Sequence, residues 1–279
     1  MKTSSRIHQS KNYREFYEAV GERYPEEQLV YKSLRGLLRR KFVLGFIQES
    51  RGWFLDLGCN CGYYLSSYHN GQAVGVDIAL SVLQIAHERN PTAYILQGDA
   101  QNLGIFRSDS FDSILCSEVI EHVPDPQQVL YECHRILKRG GKILLTTPNY
   151  KQNKPTWIQV GILSKYGVKG VEDDRYFHTA FRPEELKNMA EKAQMVVASW
   201  GTFEKEVKYA TRIPVLFYHL INLLNQVVFK SESLADVNNR FLEISSLMIY
   251  KLCCTLRINQ LLTRLVKEGV RTFVIAEKV

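Results

Sequence analysis

The chain has 279 residues, 45% of them hydrophobic and 23% charged. That is globular composition, and it excludes a disordered, collagen-like or disulfide-scaffold chain. Thirty-six Lys and Arg against 29 Asp and Glu give a net charge of +7, a balance that invites nucleic acid, an anionic membrane surface or an anionic substrate. The excess sits in the flanks: residues 1–50 and 201–279 each carry +4, and residues 51–200 carry −1.

The N-terminal stretch has no apolar stretch of the kind that marks a secretory leader. No run reaches 18 uninterrupted apolar residues, the length a spanning helix needs. The six cysteines include no C-x-x-C pair, so zinc-ribbon and thioredoxin readings lack support. Cys59, Cys116 and Cys133 stand in apolar or helical contexts and read as reduced core thiols. A cytoplasmic setting, with contact at the periphery of a membrane at most, is the expectation.

Tyr13, Phe16, Tyr17 and Val20 recur at helical spacing, and a second helix is expected from Leu34 to Ile47. Together they make an N-terminal helical cap over residues 1–50. From Trp53 short apolar runs (WFLDLG, QAVGVDI, AYILQGD, FDSILCS, GKILLTTP) alternate with helical segments over 81–89 and 127–137. Such alternation means βαβ units and a parallel sheet. The core is expected over residues 51–208, with an insertion over 150–182, a helix over 183–194 and a sixth strand over 195–207. An apolar helical insertion follows over 209–268, and a closing strand over 269–279.

The chemistry begins at Phe54-Leu55-Asp56-Leu57-Gly58-Cys59-Asn60-Cys61-Gly62. A strand ends in an acid, then a glycine-bearing turn opens a helix. A dinucleotide fingerprint wants glycine at the first, third and sixth loop positions, which here are Gly58, Asn60 and Tyr63. A tyrosine at the sixth position blocks close helix–strand packing, so a nicotinamide cofactor is disfavoured. S-adenosylmethionine (SAM), with an ammonium and a ribose diol but no phosphate, fits better. Asp56 would help hold the ammonium, and the Gly58–Gly62 backbone, Asn60 included, would approach the methionine portion. Asp77 ends the second strand nineteen residues after Gly58, the spacing at which an acid meets ribose hydroxyls. Asp99 ends the third and would accept from an adenine amine. Ile78, Ala100 and Ser117, beside these strand ends, complete the expected set. Any one acid alone could equally cap the helix after it; three at consecutive strand ends make a constellation.

The segments LDLGCNCG, VGVD, QGDA, FDSILCSEVIEHVPDP and LKRGGKILLTTPN, in that order over 54–149, resemble the class I SAM-dependent methyltransferases. The resemblance implies an α/β Rossmann-like fold: a seven-stranded sheet, mostly parallel with the last strand antiparallel, helices on both faces and here an additional helical cap. One departure is Asn60 at the central loop glycine; Asn tolerates positive φ better than other non-glycine residues.

The stretch Cys116–Pro126 is similar to the corresponding segment of ubiquinone-pathway O-methyltransferases. In that family the E-x-x-E-H residues, here Glu118, Glu121 and His122, are implicated in holding Mg²⁺ or a similar ion. The spacing i, i+3, i+4 allows it, but many relatives methylate without metal. A reading without a cation, with His122 lining the acceptor pocket, is favoured. A neutral His122 would serve as the base that takes a proton from a hydroxyl acceptor.

The insertion contributes Trp157, Tyr176, His178 and Phe181 as expected acceptor-pocket residues. The acceptor is expected to be small and apolar, with O-methylation favoured. The segment where amino-methylating nucleic-acid enzymes commonly carry N/D-P-P-Y/F reads Ser117-Glu118-Val119-Ile120, so nucleic acid is disfavoured as substrate. A nucleic-acid or protein methyltransferase and a non-catalytic SAM-binding membrane protein remain the alternatives. The apolar stretch 209–268, punctuated by basic residues, would cover the pocket, dimerise, add a core layer or lie on an anionic membrane.

Overall fold

The computed structural model describes residues 3–149, 156–179 and 181–279. Residues 150–155 and 180 of the expected insertion, and residues 1–2 of the cap, lie outside the described residues. The chain divides into two compact units, one of Met1–Tyr24, Val43–Gly201 and Thr272–Val279, the other of Pro25–Phe42 and Thr202–Arg271.

The elements run α1 (Thr3–Arg23), α2 (Glu26–Leu29), α3 (Leu34–Glu49), β1 (Gly52–Leu57), β2 (Gly71–Asp77), α4 (Leu80–Arg89), β3 (Tyr94–Gln97), β4 (Phe111–Ser117), α5 (Pro126–Ile136) and β5 (Leu137–Pro148). After them come β6 (Thr156–Gln159), β7 (Arg175–His178), α6 (Pro183–Lys192), β8 (Met195–Phe203), α7 (Lys205–Ala210), α8 (Arg212–Leu224), α9 (Glu232–Thr255), α10 (Asn259–Leu265) and β9 (Arg271–Lys278). Seven strands form one sheet in the order β3-β2-β1-β4-β5-β9-β8, parallel across β3-β2-β1-β4-β5 and with β9 antiparallel.

Strands covered on both faces read as continuous apolar runs, and β1 and β4 do so: Phe54, Leu55, Leu57, Ile114, Leu115 and Cys116 are all buried. Against Leu55, Leu57, Ile114 and Cys116 pack Val129, Leu130, Cys133 and Ile136 from one face of α5. Asp125 caps α5, its carboxylate accepting from Gln128 N at 3.2 Å, with Pro126 in the first turn. The chain leaves β1 toward β2 and β3, then crosses back to place β4 on the other side of β1. The strand order therefore reverses between β1 and β4, the place where open α/β sheets bind ligands.

The N-terminal helix is tied to this sheet by an unusual cap. Ala79 precedes α4 and has no side chain to cap it. Glu18 of α1 does so instead, accepting from Leu80 N at 2.6 Å and Ser81 N at 2.7 Å. A carboxylate there satisfies orphan N–H groups and meets the positive end of the helix dipole. Gly21 lets the helices approach, since a Cβ at that position would meet Ser81 Oγ and Val82 Cγ1 at 2.7 Å.

Two expectations shift. The insertion is not irregular throughout: β6 and β7 pair as a separate antiparallel hairpin, Trp157 opposite Phe177 and Ile158 opposite Tyr176. The sixth strand of the sheet ends at Phe203 rather than Val207. Glu204 turns into the left-handed region (φ 58°) and opens α7.

The second unit is helical. Leu34, Leu38, Val207 and Ala210 are its buried core, with Tyr209, Leu247 and Tyr250 packed against them. No helix among the described residues is long and apolar enough to cross a membrane.

Replacing Glu18 by Ala removes the α4 cap and the tie to α1. Unfolding by denaturant should show a loss of about 1–2 kcal/mol, and Glu18→Gln, which keeps an acceptor, should recover most of it. An unchanged midpoint for Glu18→Ala would contradict this account.

Candidate active site

The β1–α4 region is built from its backbone upward. Gly58 has φ 77°, and a Cβ there would collide with Val119 Cγ2, so the turn admits no side chain. Asn60 adopts φ 46°, as its polar side chain permits. Its own carboxamide oxygen accepts from Cys61 N at 2.6 Å. Its backbone N–H donates to Asp77 Oδ2 at 2.9 Å, so the acid that ends β2 also fixes the turn that follows β1. Asp77 Oδ1 accepts from Ala79 N at 3.0 Å. Gly62 closes the turn at φ 70°.

Asp56, at the penultimate position of β1, is 2% exposed. Its Oδ2 is buried without a hydrogen-bond partner among the described residues. Burial, with the Asp77 carboxylate adding to it, pushes its carboxyl up to about 8. Burial raises Asp77 as well, opposed by the backbone N–H groups it accepts from. A buried carboxyl with no counter-charge is costly, and a cation placed beside Asp56 would reverse the shift. Asp99, after β3, lies with Ala100 at the third strand end; its Oδ1 accepts from Gln101 N at 2.9 Å. Ile78 follows β2 and is partly buried. At the end of β4 the Ser117 hydroxyl pairs with Thr146 Oγ1 of β5 at 2.8 Å.

Beyond β4 a short turn brings Glu121 and His122 against the β6–β7 hairpin. Thr179 N donates to Glu121 O at 2.7 Å. The two-residue alternation of β7 puts Tyr176 and His178 on one face, and both rings meet His122, with centroids 6.3 and 5.2 Å away. From α1, Tyr17 packs its ring edge-on to His122 at 5.5 Å, and Phe16 stacks on Tyr176 at 5.4 Å. The His122 imidazole is thus enclosed by aromatic rings. Its Nδ1 is buried without a hydrogen-bond partner among the described residues, and burial together with His178 lowers it to about 3. At neutral pH it is an uncharged imidazole. Glu121 Oε1 stands 3.8 Å from its Nε2.

Three expected roles are redistributed. Glu118 does not join Glu121 and His122: it takes φ 60°, and its Oε1 accepts from Thr146 Oγ1 at 3.0 Å. His178 takes the third place, and the ligand atoms of Glu121, His122 and His178 all lie within 4.8 Å of one another. Trp157 pairs with Phe177, ring to ring at 5.9 Å, and one-residue alternation puts that pair on the face of the hairpin opposite Tyr176 and His178. Phe181 is a buried member of the main core. Tyr13, Phe16 and Tyr17 were legible only as a helical stripe. Their nearness to the site carries no local motif. The raised hydroxyl of Tyr13 owes its shift first to burial, then to Asp99, Asp77 and Glu121, which locates it among the acids.

A family model described as "Methyltransferase domain" matches residues 55–145. The chain is 30% identical over 189 residues to the ubiquinone biosynthesis O-methyltransferase of Photorhabdus laumondii subsp. laumondii, covering 62% of this chain and 75% of that protein. Its fold is similar to that of phosphoethanolamine N-methyltransferase 2 from Haemonchus contortus, solved with SAM (TM-score 0.53, 18% identity, 88% of this chain and 53% of that one). It is also similar to a SAM-dependent methyltransferase from Mesorhizobium loti (TM-score 0.51, 16% identity, 85% and 96%).

Asp56 makes stability depend on pH in a known direction. Its folded value, about 8, exceeds the unfolded one of about 4. The folded chain therefore keeps a proton that the unfolded chain releases, and stability falls as pH rises through that window. Asp56→Asn should melt higher than the wild type by a margin that grows from pH 5 to pH 8. A margin independent of pH would contradict the assignment.

Proposed function

The chain belongs to the class I SAM-dependent methyltransferases, and from that premise we propose that its acceptor is a small lipophilic molecule methylated on oxygen. SAM, when bound, supplies an electrophilic methyl group on its sulfonium. Asp56 receives the ammonium, the Gly58–Gly62 backbone meets the methionine portion, Asp77 accepts from the ribose diol and Asp99 from the adenine amine. Ile78, Ala100 and Ser117 border the same groups.

The single observation that carries the acceptor reading is the His122 imidazole: neutral at working pH, without a hydrogen-bond partner at Nδ1 among the described residues and walled by Tyr17, Tyr176 and His178. Aromatic walls suit an apolar or aromatic ring. A neutral imidazole accepts a hydroxyl proton as the oxygen attacks. The imidazolium that forms is disfavoured by burial, and Glu121, 3.8 Å away, supplies the opposing charge, as a carboxylate does behind the histidine of a triad. Alignment of the acceptor oxygen with the sulfonium supplies much of the remaining acceleration.

The resemblance to ubiquinone-pathway enzymes also implies a cation held by E-x-x-E-H residues. The donors that stand together here are one carboxylate and two imidazoles, a set that suits zinc or ferrous iron better than Mg²⁺. Proton removal by His122 requires no cation there.

With SAM labelled in its methyl group and a polyprenyl catechol as acceptor, label should pass into the organic phase; with bulk RNA or protein as acceptor it should not. His122→Ala should lower turnover about 10²- to 10⁴-fold while SAM affinity, measured by calorimetry, stays unchanged. Equal loss of both would remove His122 as the base, and label on RNA or protein alone would overturn the acceptor class.

A further inference from the structure

The helical hairpin of the second unit is organised inside out. Where α9 runs back along α8, the buried seam is polar. Asn238, 1% exposed, donates to Tyr218 O at 2.9 Å and to Asn222 Oδ1 at 3.0 Å. At the turn Asn225 donates to Ser231 O at 2.8 Å and accepts from Ser231 N at 2.9 Å. Ser246 is buried on α9, its hydroxyl satisfied by Leu242 O. The large apolar side chains are outside: Leu216, Leu220 and Leu223 on α8 are 67%, 55% and 59% exposed, and Phe241, Ile244 and Met248 on α9 are 43%, 60% and 65% exposed.

In water this arrangement is the wrong way round. Asn side chains hydrogen-bonded between helices, with Leu, Ile and Phe facing out, is the pattern of helices packed in lipid. Exposed apolar patches of this extent mark an interaction surface. On each helix the exposed apolar stripe lies on the side turned away from the seam.

The charges select the occupant. From Ile213 to Phe229 there is no Asp, Glu, Lys or Arg, and Arg212 and Lys230 close the run at its two ends. Over residues 212–267 seven Lys or Arg stand against three Asp or Glu. Arg240 and Lys251 stand four before and seven after Ile244, along one flank of its stripe. An outward apolar surface bordered by cations is complementary to acyl chains beneath anionic headgroups. A second copy of this face would bring like charges together. The helices do not span: none is long and apolar enough, and α9 carries Glu232, Asp236 and Glu243.

We propose that the outward apolar surface of the α8–α9 hairpin docks this chain on an anionic bilayer, lying in the headgroup region, with Val227, Val228 and Phe229 at the tip of the hairpin entering furthest. Those three are 69%, 62% and 61% exposed. The proposal does not depend on the identity of the methyl acceptor.

Flotation of the full chain with vesicles tests it. Wild type should float with phosphatidylcholine–phosphatidylglycerol vesicles at low salt, and much less with phosphatidylcholine alone or at high salt. Leu220→Glu with Ile244→Glu, both on exposed positions, should weaken binding about tenfold or more with helical content and SAM binding retained. Arg240→Gln with Lys251→Gln should reduce the preference for anionic lipid and leave the fold intact. No flotation of wild type at low salt would overturn the proposal. So would equal binding to neutral vesicles, or a wild-type dimer that dissociates on the Glu substitutions while binding neither vesicle.

Discussion

The structure turns on a carboxyl buried beside another acid, with no cation against it among the described residues. Asp56 lies inside a sheet whose faces are sealed by apolar side chains, 2% exposed and with one oxygen unpartnered. Asp77 is held beside it by the same turn. Among the described residues neither acid meets a compensating charge, and burial raises both. A group left in that state in a folded chain is retained for what binds to it. In the proposed assignment the ammonium of SAM would supply the missing charge. The turn from Gly58 to Gly62 follows from this constraint, since the acid of β2 accepts from the backbone of the loop after β1.

The acceptor side is assembled from elements far apart in sequence. His122 follows β4, Tyr176 and His178 stand on a hairpin more than fifty residues later, and Tyr17 comes from the first helix. Glu18, adjoining Tyr17, caps α4. One residue thus fixes the position of α1 and its neighbour closes over the histidine. The donor set of two imidazoles and a carboxylate arises from the same hairpin, which brings His178 to where Glu118 was expected; Glu118 is drawn off by Thr146.

The strands and the acids at their ends were legible because each is a local signal: a short apolar run, an acid, a glycine, a helix. The residues proposed for SAM, from Asp56 to Asp99, are all of this kind. Asn60 was legible for the same reason, as a residue able to take positive φ. The pocket was legible only in part. Tyr176 and His178 differ from Trp157 by the face of a two-stranded ribbon, and that depends on a register between β6 and β7 that nothing in the insertion announces. Phe181 has the composition of a pocket residue and the burial of a core one. The end of β8 was misplaced because Glu204, in a left-handed conformation usually left to glycine or asparagine, carries no turn signature. The apolar stretch over 213–268 was plain, but only the placement of Asn222 and Asn238 in the seam distinguishes an outward apolar face from a buried one.

The most direct measurement is calorimetric titration of the chain with SAM near pH 7 in buffers of differing ionisation enthalpy. A carboxyl near 8 holds a proton that a bound ammonium would displace. The expected result is tight binding with release of close to one proton by wild type, and no such release by Asp56→Asn. Absence of SAM binding, or the same proton release from both proteins, would contradict the assignment of Asp56 and with it the geometry of the site.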